Sequence, residues 1–362
     1  MFKAVAGYYK DNERLRLLVK IIAVWLISRA VMLLMVPVMN LIADEPHQWL
    51  YYMNPWDAEW YKGIVENGYQ PPKSSGMASW AFFPLYPLVC MAVRLVTMGS
   101  IDTYAVGMTV SNICIIIAVY YAVKYADIEL DMKKYNKKTV EDIIIFLMLA
   151  GPFAVYYGAM YTEALFILCV ILCFYNSARH NYMAAGIAAA MASATRIVGC
   201  MLVFVLITYM FMETCAECRA KHNSEMKDNK EAGIIDKCML IEEAGILIAG
   251  NISLASVIRT FIKNVIKEPK KLVAIMISPL GIFIYMNYLR YFCGDSWAFY
   301  HVQRAWRTQK MFPVIGVLFK SCTGQLSAAS GVKTLNGIIL GWLCVITLML
   351  YAAMIRKKHY AL

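Results

Sequence analysis

Trp56-Asp57-Ala58-Glu59-Trp60-Tyr61 sets two carboxylates among three aromatic side chains. A hydroxyl is a poor nucleophile until a base is positioned to take its proton, and Asp57 is the candidate for that task. Trp56, Glu59, Trp60 and Tyr61 are its candidate substrate-contacting neighbours. Further polar residues stand at the edges of apolar runs: Glu163, Arg196, and the group His301, Gln303, Arg304, Trp306 and Arg307. Guanidinium groups suit phosphate, whose oxygens they meet in pairs. Each residue also has a plainer reading. Asp57 could serve the free N–H groups and dipole of a helix start. Glu163 could simply pair with a neighbouring Arg. Arg196 could extend to lipid headgroups. His301 could be an ordinary interfacial histidine, and Arg304 and Arg307 could bind lipid phosphates.

The elements that must position these residues are membrane helices. The chain has 362 residues, 60% hydrophobic and 16% charged, which is too apolar for an ordinary soluble domain. The net charge of +11 sits in short clusters beside apolar runs. That placement marks a cytosolic membrane surface and excludes a nucleic-acid partner. Eight apolar runs read as spans: 17–41, 82–98, 104–125, 161–178, 182–196, 197–212, 272–291 and 335–355. The expected fold is an all-α polytopic bundle with about eight spans (8–10), forming a single domain over 1–362. The N-terminal segment is too polar for a signal peptide, so the first run is a retained span.

Lysine and arginine set the orientation. The clusters Lys3 to Lys20, Lys263 to Lys271 and Arg356 to Lys358 read as cytosolic. The loop over 43–80, with five acids and two lysines, then lies outside. The polar segment 213–243 is a cytosolic loop, and 244–262 an interfacial helix. One cluster, Lys133, Lys134, Lys137 and Lys138, falls on the wrong side in this count. Either the run 143–158, broken by Gly151-Pro152, crosses and one of the two runs before it does not, or the cluster is an exception. Non-helical backbone there is tolerated only if other helices bury it.

In the external loop, Asn54-Pro55 reads as a helix start, with Asn as N-cap, and Gly68 as its stop. Trp56, Trp60 and Ile64 then share one apolar side with Asp57 and Tyr61 beside it, as in a juxtamembrane helix with aromatics at headgroup depth. Phe82-Phe83-Pro84 and Tyr86-Pro87 shape a helix entrance. Most of the eleven cysteines lie in apolar runs. Cys215 and Cys218, with His222 and Cys238, could supply a zinc site, but the second half-motif is missing and reduced thiols are the preferred reading. Two scattered carboxylates, Asp57 and Glu163, do not make a dedicated metal site, so no metal and no cofactor is expected.

Trp56 to Tyr61, Ile64, Gly68-Tyr69 and Phe82 to Pro87 together resemble the hallmark of the PIG-V family, the GPI mannosyltransferase 2 enzymes and their prokaryotic relatives. A second block, Pro152 to Phe166 with Tyr161-Thr162-Glu163-Ala164-Leu165-Phe166, is similar to the same family. Looser similarity covers Ala194-Thr195-Arg196 with Gly199, and Gly294-Asp295-Ser296 through His301, Gln303 and Trp306. The resemblance implies a GT-C type glycosyltransferase, taking a sugar from a polyprenyl-phosphate donor on the non-cytosolic face with its acid in the first external loop. Asp57 is then the general base. Arg196 with His301, Arg304 or Arg307 holds the phosphate, and Glu163 positions hydroxyls or orients an Arg. The partners are the lipid donor, a glycan or glycolipid acceptor and membrane lipids. The location is the plasma membrane in a prokaryote or the endoplasmic reticulum membrane in a eukaryote. The competing class is a transporter or lipid flippase, which predicts inverted repeats and charges at mid-membrane.

Overall fold

A computed structural model describes residues 12–42, 48–54, 56–74, 76–132, 134–151, 153–227 and 253–305, with Cys322, Thr323 and Trp342; the side chains of Met39, Ile42 and 222–227 are excepted. The chain divides into two compact units, 1–303 and 304–362. Every regular element among the described residues is helical. In order they are α1 (Glu13–Ile42), α2 (Trp49–Met53), α3 (Ala58–Asn67), α4 (Leu85–Val96), α5 (Thr103–Glu129), α6 (Lys137–Leu149), α7 (Glu163–Ala178), α8 (Tyr182–Thr195), α9 (Leu202–Lys227), α10 (Leu254–Lys267), α11 (Pro269–Ile277), α12 (Leu280–Cys293) and α13 (Ala298–His301).

Three helical stretches are long and apolar enough to cross a bilayer: Glu13–Val38, Thr103–Glu129 and Ile197–Lys221. A fourth forms if α11 and α12, bent by 43° at their junction, are one broken span. The expected spans at 82–98, 161–178 and 182–196 appear as the shorter helices α4, α7 and α8. The run 335–355 lies outside the described residues, apart from Trp342. α1 turns most of its apolar surface outward, with Leu26, Ile27, Val31 and Leu34 all exposed. Lipid, rather than protein, must cover such a helix.

Side-chain caps fix several helix starts. Asp102 accepts the N–H groups of Tyr104 and Ala105 at α5, and Asn136 those of Lys138 and Thr139 at α6. Asn181 caps α8 through Ala184. These satisfy donors that the first turn leaves orphaned. The centre of the bundle is α8, whose sequence YMAAGIAAAMASAT lets α7, α11 and α12 approach it closely. A Cβ at Gly281 would run into the Ala190 carbonyl and the Ala194 amide, so that crossing needs glycine.

Ion pairs sort the charged clusters. Lys137 at the start of α6 meets Glu13 at the start of α1 at 2.5 Å and Asp127 at 3.6 Å. Lys20 meets Asp142 at 2.6 Å. Lys137 therefore lies at the same end of the bundle as Lys20, whereas the eight-span count sets the two on opposite sides. The run 143–158 is also broken as anticipated: α6 stops at Leu149, and turns follow to 162. Of the run 244–262, expected to be an interfacial helix, residues 244–252 lie outside the described set and the rest begins α10, Leu254–Lys267. Leu254, Ile258, Ile262 and Ile266 leave an exposed apolar stripe on it, while Val257 packs on Cys215 of α9. The polar segment 213–243 continues α9 as a helix to Lys227.

Candidate active site

The helix bearing the aromatic motif begins later than its sequence suggests. α3 starts at Ala58 with Asp57 in the N-cap position, and it stops at Gly68 as expected, where φ is +71°. Asn54 is not its N-cap. The buried Asn54 side chain donates to the Leu50 carbonyl at 2.8 Å and accepts the Met160 N–H at 2.7 Å. The chain then passes through Trp56 at φ +53°, a left-handed conformation that is costly for a bulky residue and holds only when the surroundings enforce it.

Asp57 does not use its carboxylate as a cap. Its backbone carbonyl accepts the Trp60 and Tyr61 N–H groups at 3.0 and 3.2 Å, while its side chain makes no capping bond. The helix-start explanation therefore does not account for the carboxylate. The position is fixed by the backbone instead, for the Asp57 N–H donates to the Tyr161 hydroxyl at 3.0 Å. Asp57 is accessible at the surface, yet partial desolvation raises its pKa above the usual carboxylate value. The nearby Glu163 charge raises it further and Arg196 opposes both. Those influences place three residues distant in sequence within electrostatic reach of one another.

A ladder of polar contacts holds them. Arg196, at the C-cap of α8, bonds through Nη1 to Glu163 Oε1 at 2.5 Å and to Thr162 Oγ1 at 3.4 Å. The Tyr61 hydroxyl donates to the same Thr162 oxygen at 3.5 Å. The ring of Tyr61 is buried against Phe82, Tyr86 and Tyr161, and burial pushes its hydroxyl well above its ordinary pKa. It remains a neutral donor. Tyr61 thus packs in the protein interior. Below it, the Ser111 hydroxyl donates to the Tyr161 carbonyl at 3.3 Å, and Tyr86 bonds Ser111 at 2.9 Å. Glu163 Oε2 is buried with no partner among the described residues.

The non-helical stretch 150–162 that delivers Tyr161, Thr162 and Glu163 is itself propped from three sides. Ser28 donates to the Leu149 carbonyl at 2.5 Å, Arg29 to Ala154 at 3.0 Å and Asn112 to Gly158 at 3.2 Å. Trp25 holds Asn112 through a 2.7 Å bond. Irregular backbone inside a membrane protein needs such partners. Sequence reasoning missed these supports. The signal was present for Arg29, a charge inside the first apolar run, which marks function by default.

The remaining motif residues divide. Trp56 is 73% exposed and stacks on Tyr156 at 6.2 Å. Trp60 stacks on Phe82, with Lys73 over its other face. The aromatic side expected of one helix is therefore split, since Trp56 precedes α3. Glu59 does not join the Asp57 group: its carboxylate accepts from the Tyr104 hydroxyl.

Comparison with family models gives one match: the profile described as Mannosyltransferase (PIG-V) covers residues 15–227, more than half of the chain. The chain belongs to the PIG-V mannosyltransferase family. It is thus a membrane glycosyltransferase. No curated protein and no solved structure gives a match. The PIG-V match contains Asp57, Tyr161, Glu163 and Arg196 and ends before the 294–307 segment.

In that segment the structure ties His301 to its own neighbourhood. His301 Nδ1 lies 2.7 Å from Asp295 Oδ2, and this bond holds the Asp295 carboxyl below its usual range. The helix α13 nevertheless reaches the rest of the site through packing. Phe299 contacts Phe83 and Tyr285, and Tyr285 donates to the carbonyls of Trp80 and Phe82. Gln303 closes the first compact unit and Arg304 opens the second. Trp306 and Arg307 lie outside the described residues, as do Cys238 and the His222 side chain. Cys215 packs in a helix, against Val257 with Cys218 beside it. Among the described residues, no group of three or more His, Cys, Asp or Glu could hold a metal ion.

Proposed function

We infer that this mannosyltransferase moves mannose from a polyprenyl-phosphate donor to a hydroxyl of a glycan or glycolipid acceptor at the non-cytosolic face. The observation that carries the reading is the meeting of Asp57, Glu163 and Arg196 on the Tyr161-Thr162 corner. Asp57 accepts the acceptor's hydroxyl proton as that oxygen attacks the sugar C1 from the face opposite the phosphate. The C1–O bond breaks, the lipid phosphate leaves with the electron pair, and the sugar inverts. Arg196, with its side chain 42% exposed, stabilises the charge that develops on the phosphate. Glu163 fixes the guanidinium through Oε1.

One feature supports the choice of face. The Asp57 group lies at the opposite end of α1 and α5 from the Glu13–Lys137 pairing, and Lys20 also pairs at that opposite end. That distribution follows the positive-inside rule. The proposal includes one membrane domain over 1–362 with an external catalytic loop at 43–80 and a cytosolic segment at 213–243. His301, Gln303, Arg304, Trp306 and Arg307 remain proposed contacts to the phosphate or the acceptor, with Trp56, Trp60 and Tyr61 around the sugar and Glu59 as a further contact at the rim.

The test is transfer by purified protein in liposomes, offered radiolabelled polyprenyl-phosphate mannose or a nucleotide-linked mannose in the presence of membrane glycans. The expected product forms from the lipid donor alone. Transfer only from the nucleotide donor, or none from the lipid donor, refutes the donor class.

A further inference from the structure

Arg29 lies midway along α1, among apolar residues of a helix long enough to cross the membrane. Its guanidinium has five N–H donors and a permanent charge. It meets two neutral acceptors, the Met32 thioether at 3.2 Å and the Ala154 carbonyl at 3.0 Å. Nε is buried with no partner, and no carboxylate among the described residues pairs with Arg29. A thioether is a weak acceptor, and an intramembrane cation without a counter-charge is costly. Arg29 therefore lacks the one thing its position demands, an anion.

A cavity of about 370 Å³ adjoins it, lined by Arg29 with Trp25, Met32, Trp49, Met108 and Ile113 among other apolar side chains. That volume falls in the range of small-ligand pockets, which are mostly apolar with a few polar groups that fix orientation. Methionine walls adapt to irregular chains. Gly158 forms part of the lining, and a Cβ there would collide with the guanidinium. The wall is thus cut back where the cation enters.

We propose that this cavity is a lipid-phosphate site, in which Arg29 binds the phosphate and the apolar wall takes the first segment of a single hydrocarbon chain. A single chain is favoured because about 370 Å³ is near the small end of ligand pockets. The carbonyl that Arg29 also holds belongs to the segment ending in Tyr161 and Glu163, so an occupied site braces the backbone beside Asp57. The proposal rests on the donor class inferred above only for its first probe.

The experiment measures binding without turnover, by native mass spectrometry of the full chain in lipid nanodiscs. The probes are sugar-free polyprenyl phosphate, the corresponding polyprenol, and phosphatidylglycerol as a two-chain anion. Wild type is expected to hold polyprenyl phosphate at least about tenfold more tightly than polyprenol, and Arg29→Gln to lose most of that preference, the remainder resting on Arg196. Arg29→Lys, which keeps the charge should Arg29→Gln not fold, retains most of it. Asp57→Asn retains all of it, which separates this site from the transfer reading. Equal binding of phosphate and alcohol by wild type, or an undiminished preference in Arg29→Gln, overturns the proposal. Equal competition by phosphatidylglycerol overturns the single-chain assignment.

Discussion

Asn54 should be the pin that keeps Asp57 beside Glu163. It is 5% exposed, and two of its side-chain bonds, to the Leu50 carbonyl and from the Met160 N–H, tie α2 to the stretch before Tyr161. In Asn54→Ala the Met160 N–H, in a fully buried residue, loses its acceptor. A buried donor left unpaired costs about 1–3 kcal/mol, and loss of the bond to Leu50 adds about 0.5–1.5 kcal/mol. The expected destabilisation is about 2–4 kcal/mol. Asn54→Asp keeps the acceptor oxygen and should lose less. The assay is thermal unfolding in detergent micelles, followed by thiol labelling, because Cys90, Cys114, Cys169 and Cys173 are buried. Turnover should fall as well, since the loop carrying Asp57 is no longer held to the Met160-Tyr161 backbone. A change below about 0.5 kcal/mol with unaltered turnover would refute the reasoning.

Three further outcomes are expected. A general base works when ionised, so the rate rises with pH through the Asp57 pKa, which desolvation and Glu163 raise and Arg196 lowers. In kcat/KM profiles the acidic limb should move to lower pH in Glu163→Gln and to higher pH in Arg196→Gln; movement in the opposite sense would count against the cluster. Tyr161→Phe removes the acceptor of the Asp57 N–H and should lower kcat more than it raises KM, whereas a change in KM alone would show that Tyr161 only packs. Lys271 is 6% exposed at its side chain, between Glu213 at 2.9 Å and Glu268 at 2.8 Å. Lys271→Met should cost about 2–4 kcal/mol, reduced from the fully buried case because Glu268 is open to water, and adding Glu213→Gln should recover part of it; equal stability of the single variant and wild type would contradict this.

Much of the site was legible because its residues interrupt strong patterns. Asp57 stands in an aromatic motif, and Glu163 and Arg196 are charges at the borders of apolar runs. The misread helix start has a local cause: Asn54 and Asp57 both satisfy N-cap preferences, and only a partner more than a hundred residues away, Met160, decides between them. The burial of Tyr61 among other rings was not legible, because spacing gives a face without saying what covers it. Hydropathy measures apolar length, so it could not see that Pro84 and Thr97 bound α4 to twelve residues, shorter than the roughly 20 of a full crossing. The eight-span count sets Lys137 opposite Lys20 because it includes that run as a full crossing. Arg29 was hidden by its neighbours, since one charge barely lowers the mean hydropathy of a thirty-residue helix.

The central claim is that Asp57 takes the acceptor proton. Its most direct test is single-turnover transfer of radiolabelled mannose from polyprenyl phosphate by Asp57→Asn, beside a measurement of donor binding. The account predicts that donor binding persists while the transfer rate falls by roughly 10²-fold or more, the contribution of a positioned base. Transfer at the wild-type rate would contradict it.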